Sequence, residues 1–179
     1  MTKRKFLLTL NLQHFSDGEG LLVQSQHRFE INTTPDATDG EETFERMAKG
    51  FNNFDPSNNE ETDQTQYLDG EGFASTTVMG GQLTLSFSGH RYYGDPAQDW
   101  IFSKQHEIGT ERETTFRWTM PTGEVFEGPC TLAEISGPSG DANAKGEITV
   151  AVHFNGKPVY SENGEDGTAT TSGNDGEGI

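Results

Sequence analysis

The residues best suited to chemistry are concentrated in one stretch, GHRYYGDPAQDW at 89–100. Its twelve positions contain a histidine, an arginine, two tyrosines, two aspartates and a tryptophan, a density that suggests acid–base or metal chemistry. A structural interpretation accounts for these residues as well, since Gly94 can turn the chain and Asp95, followed by proline, is a favourable helix N-cap. We favour this interpretation, in which Arg91 and Trp100 lie on either side of a junction between a strand and a helix.

The rest of the chain offers no recognisable catalytic or metal-binding pattern. The five histidines form no HxH or HExxH pair, no GxSxG signature occurs, and the only cysteine, Cys130, lies among alternating apolar residues typical of an inert strand thiol. Pairs of carboxylates have no specificity in a chain with 29 acidic residues. We therefore predict no catalytic residue, no cofactor, no metal and no enzymatic activity.

Composition and charge narrow the class of protein. The chain has 179 residues, 30% of them hydrophobic, and 22 glycines, which favours one mainly β domain with a lean core. Its net charge of −17 excludes tight binding of nucleic acid through phosphates. No stretch approaches the roughly 20 apolar residues of a membrane-spanning helix, so no membrane association is expected.

Apolar residues alternate with polar ones in three segments, 82–88, 114–120 and 147–154, as in strands that are buried on one face. PTGE at 121–124 indicates a turn, and Asn155-Gly156 predicts a hairpin in which KPVY returns as a short partner strand. These segments predict an antiparallel β-sandwich or barrel of two sheets.

Two helices are predicted beside the sheets. The first spans 95–105, where Asp95 caps the helix and Gln98 follows three residues later. The second spans 41–50, where acidic residues begin the segment and Gly50 ends it.

A long, polar and acidic segment follows at 51–72 and carries scattered aromatic residues. Because compact domains seldom contain such a loop without a function, we interpret it as an extended arm or hairpin that docks on another subunit. Its candidate contact residues are Phe51, Phe54, Tyr67 and Leu68.

The predicted organisation has three parts. Residues 1–20 form a flexible N-terminal segment, 21–160 form the β domain with its helix and arm at 41–72, and 161–179 form a tail. The tail is acidic and rich in glycine, contains no basic residue and has only one sizeable apolar side chain, so we expect it to be disordered.

The order of these motifs resembles the major tail tube proteins of long-tailed, non-contractile bacteriophages. The resemblance covers about residues 29–160, with SGHRYYGDPAQDWIFS, TTFRWTMPTGEVFEGPCTLAEI and GEITVAVHFNGKPVY in the same order. Its most specific pieces are the YLDGEG arm, the G-x-R-x-x-G-D-P-A-Q-D strand-to-helix step and the late FNGKP hairpin. It implies a β-sandwich or barrel flanked by a helix, with a long loop that reaches neighbouring subunits.

The resemblance also implies a function without catalysis. Such subunits assemble in the bacterial host cytoplasm as stacked hexameric rings, become part of the virion tail, and conduct DNA through a bore without binding it specifically. The implied partners are further copies of the chain and the tape-measure, tail-tip and tail-terminator proteins. The candidate bore-facing positions are Thr115, Thr119, Glu147 and Thr149. The alternative is a carbohydrate-binding or adhesive β-sandwich module.

Overall fold

The computed structural model describes residues 20–37 and 41–162. The helix α1 spans Pro96–Ser103, and two 3₁₀ helices span Gln24–Gln26 and Gly109–Arg112. The strands, numbered along the chain, are β1 Arg28–Asn32, β2 Phe44–Arg46, β3 Phe51–Ser57, β4 Glu61–Gln66, β5 Ala74–Gly80, β6 Thr84–His90, β7 Glu113–Thr119, β8 Val125–Ser139, β9 Glu147–Phe154 and β10 Val159–Ser161.

Eight strands form one antiparallel sheet in the order β2-β1-β7-β8-β9-β6-β3, with β10 also paired to β8. The remaining strands, β4 and β5, form a separate two-stranded hairpin. The predicted mainly β, antiparallel fold with a flanking helix is confirmed. The turn predicted at 121–124 is also confirmed, because it joins β7 to β8 and Gly123 N donates to Met120 O.

The large sheet curls so that its inner face packs on itself. Three strands separate β1 from β6 in the sheet order, which in a flat sheet would place them about 19 Å apart. The rings of Phe29 on β1 and Phe87 on β6 are only 5.0 Å apart. The two packed layers are therefore two halves of one curved sheet. Between them lie fully buried side chains that include Phe116, Leu132 and Phe154.

The helix predicted at 41–50 is wrong, because this segment contains the short strand β2. It pairs with the edge of β1, and the ladder continues in the bonds from Met47 N to Phe29 O and from Thr33 N to Thr43 O. Met47 is buried in the core. A ten-residue helix is marginal by itself, so pairing with a free strand edge and burial of one side chain decide the conformation.

The hairpin predicted at Asn155-Gly156 is also wrong. The strand β10 pairs with β8, where Val159 faces Glu127, and runs in line with β9 instead of returning along it. The other side of β9 is already paired with β6, whereas β8 extends beyond the end of β9 and offers a free edge. Gly156, with φ of 99°, allows the step between the two strands.

The segment 51–72, predicted as an extended arm or hairpin, divides into two parts. Residues 51–57 are strand β3, which pairs with β6 at the edge of the large sheet. The projecting unit begins after Ser57 and is the hairpin of β4 and β5, whose tip contains a turn at 68–72. Polar composition at 51–57 concealed an edge strand in which only Phe51 and Phe54 are half-buried and the other five residues are exposed. Most of the predicted segments 1–20 and 161–179 lie outside the described residues, and Ser161 ends β10.

Candidate assembly surfaces

The strand-to-helix junction is organised around Gln98, which is fully buried in the first turn of α1. Its side-chain oxygen accepts hydrogen bonds from Tyr92 N at 2.8 Å and from Arg91 Nη1 at 3.2 Å. Its amide nitrogen donates to Lys49 O at 2.6 Å and to His90 O at 3.3 Å. One amide therefore joins α1, the end of β6 and the segment before β3.

The predicted junction residues surround this amide. Asp95 is buried and its Oδ1 accepts from Gln98 N at 3.1 Å, which confirms the predicted N-cap. Gly94 adopts a φ of 83° and donates its N–H to Asp99. Arg91 also binds Asp99, at 2.5 Å.

Trp100 lies apart from this network, on the side of α1 that faces the segment before β2. It is half-buried, and the Lys104 ammonium lies 5.6 Å from its ring centre. Sequence reasoning noted Gln98 as a capping position but missed its wider role and missed Asp99. The only available signal was the spacing of Gln98 from the cap, and its partners come from distant strands.

The guanidinium of Arg91 is covered by aromatic rings. It lies 4.7 Å from the ring centre of Tyr93 and 4.8 Å from that of Phe102, and its side chain is only 8% exposed. With Asp99 as its ion-pair partner and Gln98 as a hydrogen-bond partner, its charge is matched within the fold. Arg91, Asp95 and Asp99 are therefore engaged in the strand-to-helix junction around Gln98, which supports a structural role for this part of the 89–100 stretch.

The hairpin of β4 and β5 presents apolar side chains to solvent. Leu68 at its tip is fully exposed, Phe73 is 81% exposed and Tyr67 is 60% exposed. Val78 and Met79 on β5 are also exposed. Isolated two-stranded hairpins are marginally stable in water, so this combination of exposed apolar groups and unsupported strands is typical of a contact element.

The predicted arm residues fall into two groups. Tyr67 and Leu68 lie at the hairpin tip, as expected for a projecting contact. Phe51 and Phe54 instead pack in this chain on core aromatics: Phe51 lies 5.8 Å from Phe87, and Phe54 lies 4.7 Å from Phe29 between ring centres.

A cavity of about 490 Å³ opens beside these aromatics, between β3 and the segments that flank β1 and β2. We call it the seam pocket, because it lies where the curved sheet fails to close between its two edge strands, β2 and β3. Its lining includes His27, Phe29, Arg46, Asn52 and Phe54.

His27 lies in the wall of this pocket in a neutral state. Its Nδ1 accepts a hydrogen bond from the Trp118 indole at 3.0 Å, which requires that this nitrogen carry no proton. Burial lowers the pKa of His27 below its usual value, because the charged form loses hydration. The hydrogen bond and the direction of the pKa shift both indicate a neutral imidazole.

The outer surface of the sheet is divided by charge. The strands β8, β9, β6 and β3 are neighbours in the sheet and contain no lysine or arginine. Their outward positions are mostly small and polar, with Ser86, Ser88 and Thr149 in adjacent rows. We call these four strands the lysine-free half of the sheet. Glu147 and Thr149 are exposed on its β9 strand.

The other half of the sheet carries the basic residues. Arg46, Glu30 and Arg117 lie in direct register across β2, β1 and β7 with alternating charge, and this row ends at Glu127 on β8, where the lysine-free half begins. Arg117 bonds Glu127 at 2.5 Å and stacks on the Phe44 ring at 4.3 Å from its centre. Thr115 and Thr119 lie on β7 on either side of Arg117. The structure thus places the four candidate bore positions in two separate regions.

No catalytic constellation stands out in the part of the chain that the structure describes. Cys130 is completely buried and burial raises its pKa to about 12, so it is an unreactive thiol at neutral pH. Within 20–37 and 41–162, no three His, Cys, Asp or Glu side chains are grouped as metal ligands would be. In the same ranges no helix has the length and apolarity to span a membrane.

No protein-family model matches the chain, and no curated protein gives a significant sequence match. Solved structures do match. A chain from the tail of an empty gene transfer agent particle, refined helically in C6 symmetry, has a TM-score of 0.64 and 17% identity over 79% of this chain and 99% of that chain. A chain from the virion of a native gene transfer agent has a TM-score of 0.62, with 16% identity over 79% and 99% of the two chains.

A third similar structure is the tube-terminating cap of an anti-feeding prophage, with a TM-score of 0.50 and 11% identity over 80% of this chain and 93% of that chain. This chain therefore has the fold of phage-like tail tube proteins, and the fold implied by the sequence resemblance is confirmed.

Proposed function

We propose, from the fold shared with the tail of a C6-symmetric particle, that this chain is a structural virion subunit that polymerises as stacked hexameric rings to form a phage tail tube. The observation that carries the proposal is the match to that tail chain over 99% of its length. The chain would be made in the bacterial host and would act without catalysis. Its partners would be further copies of itself and the tape-measure, tail-tip and tail-terminator proteins.

The lysine-free half of the sheet is the surface best suited to line the bore. DNA would slide along it because no ammonium or guanidinium group is available there to hold phosphates. Its acidic residues, which include Asp55 and Glu147, would repel the phosphates instead. Glu147 and Thr149 therefore remain bore-facing candidates, whereas Thr115 and Thr119 adjoin Arg117 and fit this role less well.

The hairpin supports the assembly part of the proposal. Its exposed apolar residues would be buried on a neighbouring copy, which would stabilise both the hairpin and the polymer. A contact between one surface patch and a different patch on the next copy propagates without closing, and this is what a filament of stacked rings requires.

The alternative of a carbohydrate-binding module is less well supported. Such modules stack sugars on exposed aromatic rings, but Trp118 is only 6% exposed and donates its indole N–H to His27. Trp100 is half-buried beside Lys104. Trp118 therefore offers no free ring face for a sugar, and the Lys104 ammonium lies over the Trp100 ring.

Light scattering after size exclusion, combined with negative-stain microscopy, tests the proposed function. We expect rings, or tubes of uniform width, whose abundance increases with protein concentration. A chain that stays strictly monomeric at all concentrations and binds glycans would contradict the proposal and favour the alternative.

A further inference from the structure

We propose that the hairpin tip of one copy inserts into the seam pocket of a second copy in the adjacent ring. This inference rests on the proposed function and adds the surface that receives the hairpin. The donor group is Tyr67, Leu68 and Phe73, and the receiving group is the aromatic wall formed by Phe29, Phe51 and Phe54 together with Arg46.

The two surfaces lie at opposite ends of strand β3. The hairpin leaves the sheet after Ser57, whereas the pocket is lined by Phe51 to Phe54, the first four of the strand's seven residues. Seven residues of strand span about 20 Å. Each copy thus has a donor surface at one end and an acceptor surface at the other, and such a contact repeats along an axis.

The hairpin is long enough to reach beyond its own subunit. Its six-residue strands, paired from Glu61 with Gly80 to Gln66 with Ala74, extend about 20 Å before the turn. Among the described strands, they pair only with each other. A bond from Gln82 N to Asn58 O, at 2.8 Å, closes the base of the hairpin.

The apolar surfaces match in character. Leu68 is fully exposed and Phe73 is 81% exposed, so both would gain free energy from leaving water. The pocket has a volume of about 490 Å³, which can accommodate two or three such side chains, and aromatic rings form much of its wall.

The charges are complementary as well. The hairpin segment 58–83 contains five carboxylates and no lysine or arginine. The described residues that line the seam pocket include Arg46 but no aspartate or glutamate. Lys49 follows the pocket residue Ala48 directly in the chain. The acidic hairpin of a second copy would be attracted to this basic rim, whereas a basic partner protein would be repelled by it.

Disulfide cross-linking between two singly substituted proteins tests the contact. Leu68→Cys is mixed with Asn52→Cys, an exposed residue of the pocket wall, and the assembled mixture is oxidised. We expect a covalent dimer of twice the chain mass that forms only in assembled material. The native Cys130 is fully buried and does not compete.

The matched control is Asn155→Cys mixed with Leu68→Cys. Asn155 is equally exposed but lies beyond β9, beside Thr131 and away from the pocket. If tubes form but Leu68→Cys cross-links no better to Asn52→Cys than to Asn155→Cys, the receiving surface is wrong while the tube function stands. If neither rings nor tubes form, the proposed function fails, and this inference with it.

A third cross-linking experiment tests whether the N-terminal segment of the same chain occupies the pocket instead. A doubly substituted Leu7→Cys, Asn52→Cys protein that cross-links within one chain in assembled material would show that the pocket holds the N-terminal segment, which would overturn the inference.

Charge reversal gives an independent test. Arg46→Glu should raise the critical concentration for assembly about tenfold, equivalent to about 1.4 kcal/mol per contact. Adding Glu71→Lys on the hairpin tip should restore assembly if the two residues face each other across the contact. Lysine can be placed in turn at each acidic residue of the hairpin, namely Glu60, Glu61, Asp63, Asp69 and Glu71. If none of these substitutions restores assembly of a folded Arg46→Glu protein, the electrostatic part of the proposal is contradicted.

Discussion

At the scale of single residues, Gln98 is the side chain on which the most separate parts of the fold depend. It is fully buried and both ends of its amide are bonded, to backbone groups at Tyr92, Lys49 and His90. The adjacent Gly50 has φ of 79°, and a Cβ at that position would overlap His90 O. The junction is therefore built by close packing of backbone around one amide.

Gln98→Ala should lower the free energy of unfolding by about 2–4 kcal/mol, since each buried hydrogen-bonding group left without a partner costs roughly 1–3 kcal/mol. Chemical denaturation followed by tryptophan fluorescence measures the change. Gln64→Ala is the control, because Gln64 is exposed on the hairpin, and its effect should be within about 0.5 kcal/mol. Equal effects of the two substitutions would show that the network is not a stabilising element.

The His27–Trp118 hydrogen bond makes a prediction about pH. The pKa of His27 is lowered in the folded protein, so the unfolded chain binds a proton more readily. The contribution of His27 to stability is therefore complete above the ordinary histidine pKa of about 6.5 and is lost as the pH falls below it. Between pH 7.5 and 5.5, the wild-type protein should lose more stability than His27→Gln. A larger loss in the variant would contradict the assigned protonation state.

At the scale of elements, pairing with free strand edges decides several conformations. The segment at 44–46 becomes a strand because β1 has a free edge, and β10 pairs with β8 because both sides of β9 are occupied. The hairpin differs from both, since within 20–37 and 41–162 the strands β4 and β5 pair only with each other. It is the element whose stabilisation most requires a partner.

Replacing residues 60–81 with two glycines should abolish polymerisation while the fold persists. The bond between Gln82 N and Asn58 O shows that the two ends already meet, so a short turn can close them. Circular dichroism and thermal unfolding check the fold, and light scattering checks assembly. A deletion of 52–71 is the contrasting variant, because it removes most of the edge strand β3 and should also unfold the domain. Normal polymerisation of the 60–81 variant would refute the role given to the hairpin.

At the scale of the whole molecule, the distribution of charge separates two surfaces. One half of the curved sheet holds arginines in a ladder with glutamates, and the other half holds neither lysine nor arginine. The net charge of −17 alone could not show this division. In the proposed ring, the lysine-free half is the surface that would face DNA without binding it.

Thr149→Lys should convert the proposed bore into a DNA-retaining surface, because each ring would add one cation per subunit along the path. Short labelled duplexes should co-sediment with Thr149→Lys tubes at low salt and be released at high salt, whereas wild-type tubes should not retain them. Thr110→Lys, in the exposed 3₁₀ helix Gly109–Arg112, is the control. Equal retention by both variants would place Thr149 outside the bore.

The sequence by itself determined the features that arise from local chemistry. Period-2 alternation identified β6, β7 and β9, Asp95 followed by proline identified the start of α1, and the order of motifs indicated a tail tube fold. The alternation and the cap each involve residues that are close together in the chain, and they predict structure correctly because side-chain periodicity and capping act between near neighbours.

Only the tertiary structure decided what depends on residues far apart in the chain. The partners of Gln98, the curvature that brings Phe29 to Phe87, and the pairing of β2, β3 and β10 all follow from which edges and cavities remain after the stronger strands have packed. The seam pocket exists for the same reason, since it is the gap left where the two edge strands do not meet. Local propensity is a weak constraint, and long-range packing overrides it wherever a free edge or a buried site is available.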